Sequence, residues 1–496
     1  MKTILAIDQS TSATKAILFN ERGELLDKTA VSHAQHYPQP GWVEHDAAEI
    51  YRNTRQAIAD LLARNPEQQN NLACLSLTNQ RETIVIFDKA SGEPLYNAIV
   101  WQCRRGAAVC AELEAAGHGG WIGQRTGLKI DTYFPASKLT WLFNQRPDLR
   151  QKLASGEALL GTIDTYLIYR LTNGRSFATD QTNASRTLLF DIHKLAWDAD
   201  LCQLFGVPQS ALAEVRDSDA SFDETDLDGL LAHPLPIVGV MGDSQAALFA
   251  QRCFVPGSAK VTFGTGSSVL LNIGREVTYS DNGLVTAVAW VLNGEPTYAL
   301  EGIINFTGAT IAWLRDQLRL IESVEETEAL ATAVPDNGGV YFVPAFVGLG
   351  APYWQPAAKA GILGLTPGSN KNHVVRAALE GIAYCIRDVL LLMAEDAGVI
   401  LQHIHADGGA TNNRFLMQFV ADMTQLTVRT SVLPELSALG AALAGLLGLG
   451  IYQSTDDITN LAKHHVDFEP KLDPADADKA YAGWRQAVAK ILLKPE

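Results

Sequence analysis

Two stretches of this chain share one pattern. Residues 4–20 (ILAIDQSTSATKAILFN) and 259–274 (AKVTFGTGSSVLLNIG) each run apolar, break at a Gly/Ser/Thr turn, and run apolar again. Each predicts a β-hairpin. Around them, strand-like and helix-like periodicities alternate. Residues 72–80 and 83–88 read as strands, and 47–64 as an amphipathic helix with Ile50, Tyr51, Ile58 and Leu61 on one face. Residues 235–251 read as a buried strand, a Gly-Asp-Ser turn and a helix. Residues 403–423 repeat that order around a Gly-Gly turn, and 310–320, 373–396 and the small-residue run 438–448 read as helices. The alternation predicts an α/β fold. The pattern restarts near Val255-Pro256-Gly257 with no low-complexity tract, which predicts a hinge between two domains, 1–252 and 253–496.

The turns carry candidate chemistry. Small residues let a backbone approach phosphate closely, and Ser/Thr hydroxyls donate to its oxygens. Two such turns, one per half, point to two related domains closing on a nucleotide. The first hairpin adds Asp8, a carboxylate for a metal ion, and Lys15, a cation for phosphate oxygens. A single hairpin of this kind is more often purely structural; the repeat and the flanking Asp8 shift the balance.

Composition narrows the class. At 496 residues the chain exceeds one ordinary core, and 47% hydrophobic with 19% charged residues fits a large buried interior. A net charge of −16 argues against nucleic acid as a partner. The six cysteines, Cys74, Cys103, Cys110, Cys202, Cys253 and Cys385, form no C-x-x-C pair and read as buried free thiols of a cytoplasmic protein. The start, MKTILAIDQST, has an apolar run too short for a signal peptide, and no stretch is long enough for a membrane span. Neither His403 with His405 nor His464 with His465 has a third ligand at metal spacing.

Three further groups stand out. Asn79-Gln80-Arg81-Glu82 lies between two apolar strands, with Trp101 and Tyr133 downstream. Arginine beside glutamate offers donors and acceptors to vicinal hydroxyls, and an aromatic wall covers a polyol's C–H face. The same residues fit an ordinary salt bridge and two core aromatics. Asp243 ends an apolar strand, where it suits a general base toward a hydroxyl nucleophile or a helix N-cap. The turn Asp407-Gly408-Gly409-Ala410, followed by Asn413, suits adenosine or a plain strand-to-helix turn.

Taken together the chain resembles the FGGY carbohydrate kinases, of glycerol kinase type. The resemblance runs from about residue 5 to 453 and rests on PGWVEHD (40–46), TNQRET (78–83), YNAIVWQCRR (96–105), TNASRTLLF (182–190), YALEG (298–302), FVGLGAPYW (346–354) and DGGATNNRFLMQF (407–419). It implies two ribonuclease-H-like domains with an interdomain cleft, the fold of actin, hexokinase and the heat-shock chaperone ATPases. It implies an ATP- and Mg²⁺-dependent polyol kinase in the cytoplasm, acting on glycerol, and a homo-oligomer, dimer or tetramer. The family's polyol contacts fall on Arg81, Glu82, Trp101, Tyr133 and Asp243, with Asp243 as catalytic base. Its phosphate and metal contacts fall on Asp8, Thr11, Ser12, Lys15, Thr265 and Gly266, its nucleotide contacts on Gly308, and the adenine side on Gly409 and Asn413.

Departures from the family pattern bear on specificity. Lys15 stands where arginine is common, so the charge stays and the bidentate fork goes. Ser244 replaces a glutamine that contacts glycerol, Ser268 a phenylalanine against its carbons, and Ala312 a nucleotide-side glutamine. Losing bulk from one pocket wall predicts a wetter pocket that admits a tetritol or pentitol, or binds glycerol loosely. The family's fructose 1,6-bisphosphate loop has no counterpart in DLDGLLAHP (226–234). A ketose kinase, xylulose being one substrate, is the rival within the family. A nucleotide-gated interaction protein is the rival outside it.

Overall fold

The computed structural model describes residues 2–355, 357–431, 433, 435–461 and 465–492. The described chain divides into two compact units. One gathers residues 2–252, 287–298 and 435–461; the other gathers 253–286, 299–433 and 465–492. The first thus recruits two later segments, while the change of unit at Arg252/Cys253 lies just before the predicted hinge.

In the first unit a six-stranded sheet runs in the order Ser221–Thr225, Leu235–Gly242, Leu72–Asn79, Thr3–Gln9, Ala13–Asn20, Leu25–Ser32. Thr3–Gln9 and Ala13–Asn20 form the predicted antiparallel hairpin. Leu72–Asn79 lies parallel to Thr3–Gln9 on one side and to Leu235–Gly242 on the other. The second unit repeats this plan. Five consecutive strands of its sheet run Ser267–Gly274, Ser258–Phe263, His403–Asp407, Val428–Ser431, His465–Phe468. Ser258–Phe263 and Ser267–Gly274 are the second predicted hairpin, and His403–Asp407 runs parallel to both of its neighbours. The doubled sequence pattern is therefore a doubled topology.

Local chemistry sets the element ends. Helix Ala47–Arg64 begins where the Asp46 carboxylate accepts the Ala48 N–H at 2.8 Å. Its buried face, Ile50, Tyr51, Ile58 and Leu61, packs with Leu5, Ile7, Leu75 and Leu77 of the sheet. Each such side chain contributes about 1.5–3 kcal/mol on burial. The helix expected over 310–320 is Gly308–Asp316, and beyond it the chain turns left-handed at Arg319 (φ 52°). In the second unit Tyr384 and Trp484 stack with centroids 5.2 Å apart, and buried Asp388 accepts from Trp484 Nε1 at 2.9 Å.

Helix Leu436–Gly448, the predicted small-residue helix, belongs to the first unit. A Cβ at Gly440 would sit 1.8 Å from the Ala246 carbonyl oxygen, and one at Gly239 (φ +84°) 2.4 Å from that of Ala441. Only hydrogen at these positions lets the helix lie this close to its neighbours. Among the described residues no helix is long and apolar enough to cross a membrane.

Candidate active site

In sheets of this kind, ligands meet the carboxyl ends of the parallel strands. Thr3–Gln9 ends at Asp8 and Gln9; Leu72–Asn79 runs into Gln80, Arg81 and Glu82; Leu235–Gly242 hands over to Asp243. Register places Asn79 opposite both Gln9 and Gly242, so the three ends lie side by side.

Arg81 is the hub of this group. Its Nε lies 3.2 Å from Asp243 Oδ1, and its Nη1 donates to Gln245 Oε1 at 3.2 Å. The Arg81 side chain is 4% exposed and that of Asp243 39%, so the arginine is fixed and the carboxylate reaches solvent. Asp243 is not the helix N-cap: Gly242 is, without a side-chain cap bond. A Cβ at Gly242 would lie 2.8 Å from Arg81 Cγ and Cδ, which is why the strand end needs glycine. Ser244 donates its N–H to Asp243 Oδ1 at 2.6 Å.

Glu82 sits at φ +59°, a strained position for glutamate. Arg186 holds it there through a 2.6 Å Nε–Oε1 bond between side chains that are each 1% exposed. Behind this loop, Asp180 accepts from Asn183 Nδ2 at 2.9 Å, and Asn183 and Asn79 exchange bonds of 2.9 and 3.1 Å. Burial pushes the Asp180 carboxyl up to about 7. Trp101 and Tyr133 meet edge to face with centroids 5.4 Å apart, both half-buried.

The first hairpin is tied to the same group. Trp101 Nε1 donates to Thr11 Oγ1 at 3.1 Å, and the Thr11 carbonyl accepts from His33 Nε2 at 2.9 Å. Ser12 is exposed at the turn. Lys15 pairs across the hairpin with Asp8 at 3.3 Å, but its tighter partner is Glu435 at 2.6 Å. Lys28 shares that carboxylate at 2.9 Å. The cation expected to face phosphate is thus held between two carboxylates. Burial pushes the Asp8 carboxyl up to about 6, with Lys15 pulling it down and Asp243 and Glu435 pushing it further up.

The second unit brings together Thr265, Gly266, Ser268 and Gly308. The Thr265 carbonyl accepts from the Thr307 and Ala309 N–H groups at 3.1 and 3.0 Å, and the Gly264 carbonyl from Gly308 N–H at 3.0 Å. The turn's carbonyls thus tie it to the start of helix Gly308–Asp316. Exposed Thr265 remains at the tip. A Cβ at Gly308 would lie 2.5 Å from the Gly264 oxygen, and one at Gly266 2.5 Å from the Ile304 oxygen. Ser268 buries a hydroxyl without a hydrogen-bond partner among the described residues. Ser244 belongs to the first unit and Ser268 to the second. Ala312 is half-buried in helix Gly308–Asp316.

Gly409 is exposed, with open space where a Cβ would be. Asn413 caps helix Arg414–Thr424: its Oδ1 accepts from Leu416 N–H at 2.9 Å, and its Nδ2 donates to Thr327 at 3.0 Å. Both ends of the amide are engaged, so the capping role is the one the structure displays. His403 and His405 meet edge to face at 4.7 Å; His464 lies outside the described residues. Among those residues no cluster of three His, Cys, Asp or Glu side chains is placed to hold a metal ion.

Comparisons with known proteins bear on this arrangement. Residues 3–250 match the FGGY family of carbohydrate kinases, N-terminal domain, and 259–449 its C-terminal domain. The chain belongs to this family. It is similar to glycerol kinase 1 of Thermotoga maritima, 47% identical over 99% of this chain and all of that protein. It is equally similar to the glycerol kinase of Carboxydothermus hydrogenoformans, 47% over 99% of this chain and 98% of that one. Among solved structures, Plasmodium falciparum glycerol kinase with ADP superposes with a TM-score of 0.96 at 36% identity, covering 100% of this chain and 99% of that one. The FGGY fold is the actin- and hexokinase-like one, so the doubled topology described above is the family's.

Within this FGGY kinase, sequence reasoning missed Arg186, Glu435, Gln245 and Gly242. Arg186 left a signal, a lone arginine in the otherwise uncharged TNASRTLLF. Glu435 left none, standing 420 positions from Lys15. In the loop that lacks the family's sugar-bisphosphate motif, Asp228 pairs with Arg55 at 2.9 Å and accepts from Tyr51 at 2.6 Å.

Proposed function

We infer that the chain transfers the γ-phosphoryl group of ATP to a primary hydroxyl of glycerol. The observation that carries this reading is the Asp243 carboxylate, reaching solvent while Arg81 fixes it at 3.2 Å, among strand ends that also bear Glu82 and Asp8. Glycerol kinases similar over the full length supply the acceptor class.

The acceptor lies against Trp101 and Tyr133, with Arg81 and Glu82 on its hydroxyls. Asp243 accepts the hydroxyl proton as the new O–P bond forms and the bond from the γ-phosphorus to the bridging oxygen of ADP breaks. Thr11, Ser12, Thr265 and Gly266 meet the phosphates; Gly308 and Gly409 serve the nucleoside end, with Asn413 shaping the turn. Domain roles follow: residues up to 252 carry the acceptor side and the first phosphate hairpin, and those after 252 the nucleotide side.

Mg²⁺ fits Asp8, whose buried carboxyl is held up at about 6 partly by two neighbouring negative charges that a dication would relieve. Bound there, it neutralises phosphate charge, as Mg²⁺ does when held by one or two carboxylates and its substrate. Lys15 then exchanges Glu435 for phosphate oxygens. Asp8 must be ionised to serve, so kcat/KM for Mg·ATP should fall about tenfold per pH unit below about 6. An Asp8→Asn variant, slower throughout, should lack that acid limb. A limb that survives the substitution belongs to another group.

A longer polyol is the second reading, favoured by Ser244 beside Asp243, where the family's glutamine would fill space. An ATP-coupled panel of glycerol, erythritol, threitol, pentitols and xylulose decides. We expect the highest kcat/KM with glycerol and measurable tetritol turnover. Xylulose preference, or ATP hydrolysis indifferent to every acceptor, would refute the assignment.

A further inference from the structure

Lys138 occupies an unfavourable address. Its side chain is fully buried in the first turn of helix Pro135–Gln145. Burial strips an ammonium of water, and a helix N-terminus presents it a like-signed dipole. Burial accordingly pushes the amine down to about 8, against the pull of Cys103, Glu82 and Asp131 and with Arg105 adding to the push. Among the described residues its hydrogen-bond partners are three main-chain oxygens: Tyr133 at 3.1 Å, Val100 at 3.3 Å and Trp101 at 3.5 Å. These belong to two separate loops. One follows strand Ala98–Ile99 and carries Trp101; the other leads into the helix and carries Tyr133.

The close fit of these segments is built in. A Cβ at Gly106 would fall 2.5 Å from Ser137 Oγ and 3.0 Å from Lys138 N, so the Trp101 loop lies directly on the helix start. The two rings meet beyond it, 5.4 Å between centroids. Among the described residues this costly buried cation donates to carbonyl oxygens of the two ring-bearing loops and to nothing else.

We propose that Lys138 is a positioning residue of the acceptor site: its ammonium ties the Trp101 loop to the Tyr133 loop and so sets the spacing of the aromatic wall against which the acceptor's carbons pack. The inference rests on the reading of those two rings as that wall. Loss of the tie spreads the rings and weakens acceptor binding while leaving the nucleotide side untouched.

The test is steady-state kinetics on Lys138→Met, which keeps length without donors, and Lys138→Gln, which keeps two N–H donors. With Lys138→Met, the glycerol KM should rise about tenfold or more, and the ATP KM should stay within about twofold. Lys138→Gln should show a smaller rise, and near-UV circular dichroism should show an altered aromatic signal in a folded protein. In a Trp101→Phe background the added effect of Lys138→Met should shrink, because both act through one wall. A folded Lys138→Met with unchanged glycerol KM overturns the proposal. So do glycerol and ATP KM values that rise together, or full additivity with Trp101→Phe. A wild-type enzyme that turns over no polyol overturns the acceptor reading as well, which separates the two failures.

Discussion

Asp243→Asn should lower kcat by about 10²–10⁴-fold while the ATP KM stays near its wild-type value. Asparagine keeps an oxygen for the Ser244 N–H and for Arg81 Nε, so the local geometry survives. The helix that begins here is capped by Gly242, so no cap is lost either. What disappears is a basic oxygen to receive the hydroxyl proton. Steady-state kinetics with glycerol, together with binding of a non-hydrolysable ATP analogue, separates chemistry from binding. Turnover close to wild type would remove Asp243 from the role of base.

Arg186→Leu should destabilise the first unit by about 3–5 kcal/mol, because it removes one partner of a buried charge pair. Both side chains are 1% exposed and joined at 2.6 Å. Glu82 is also strained at φ +59°, so freeing it should let the loop relax and raise the glycerol KM. Combining Arg186→Leu with Glu82→Gln should restore much of the stability but none of the acceptor binding. Breaking the exposed Arg52–Asp46 pair, by contrast, should cost under about 1 kcal/mol. Urea unfolding of the three variants measures the stabilities, and steady-state kinetics measures the glycerol KM. An Arg186→Leu protein as stable as wild type would mean that water or another cation reaches Glu82.

What the sequence made legible was local. Both hairpins and helix Ala47–Arg64 were readable because apolar spacing, Gly/Ser/Thr turns and the Asp46 cap act within a few residues. The strand ends carrying Arg81, Glu82 and Asp243 were readable for the same reason, and longer motifs supplied the family. The supports of those residues were not. Arg186 reaches Glu82 across 104 positions, Glu435 reaches Lys15 across 420, and Lys138 finds oxygens of two loops. No periodicity encodes such pairings, which exist only once sheet order is fixed. Asn413 was readable as part of a turn, while its capping bond to the Leu416 N–H belongs to the folded chain.

Helix Leu436–Gly448 has a consequence for biosynthesis. The first unit draws its closing piece from near the end of the chain, fitted against Ala246 and Gly239 with no room for a Cβ. A ribosome that has released only the first 252 residues therefore holds a half-built domain with an apolar trough open to water. An isolated fragment of that length should be sticky and short-lived, and should gain solubility when a peptide spanning 435–461 is supplied in trans.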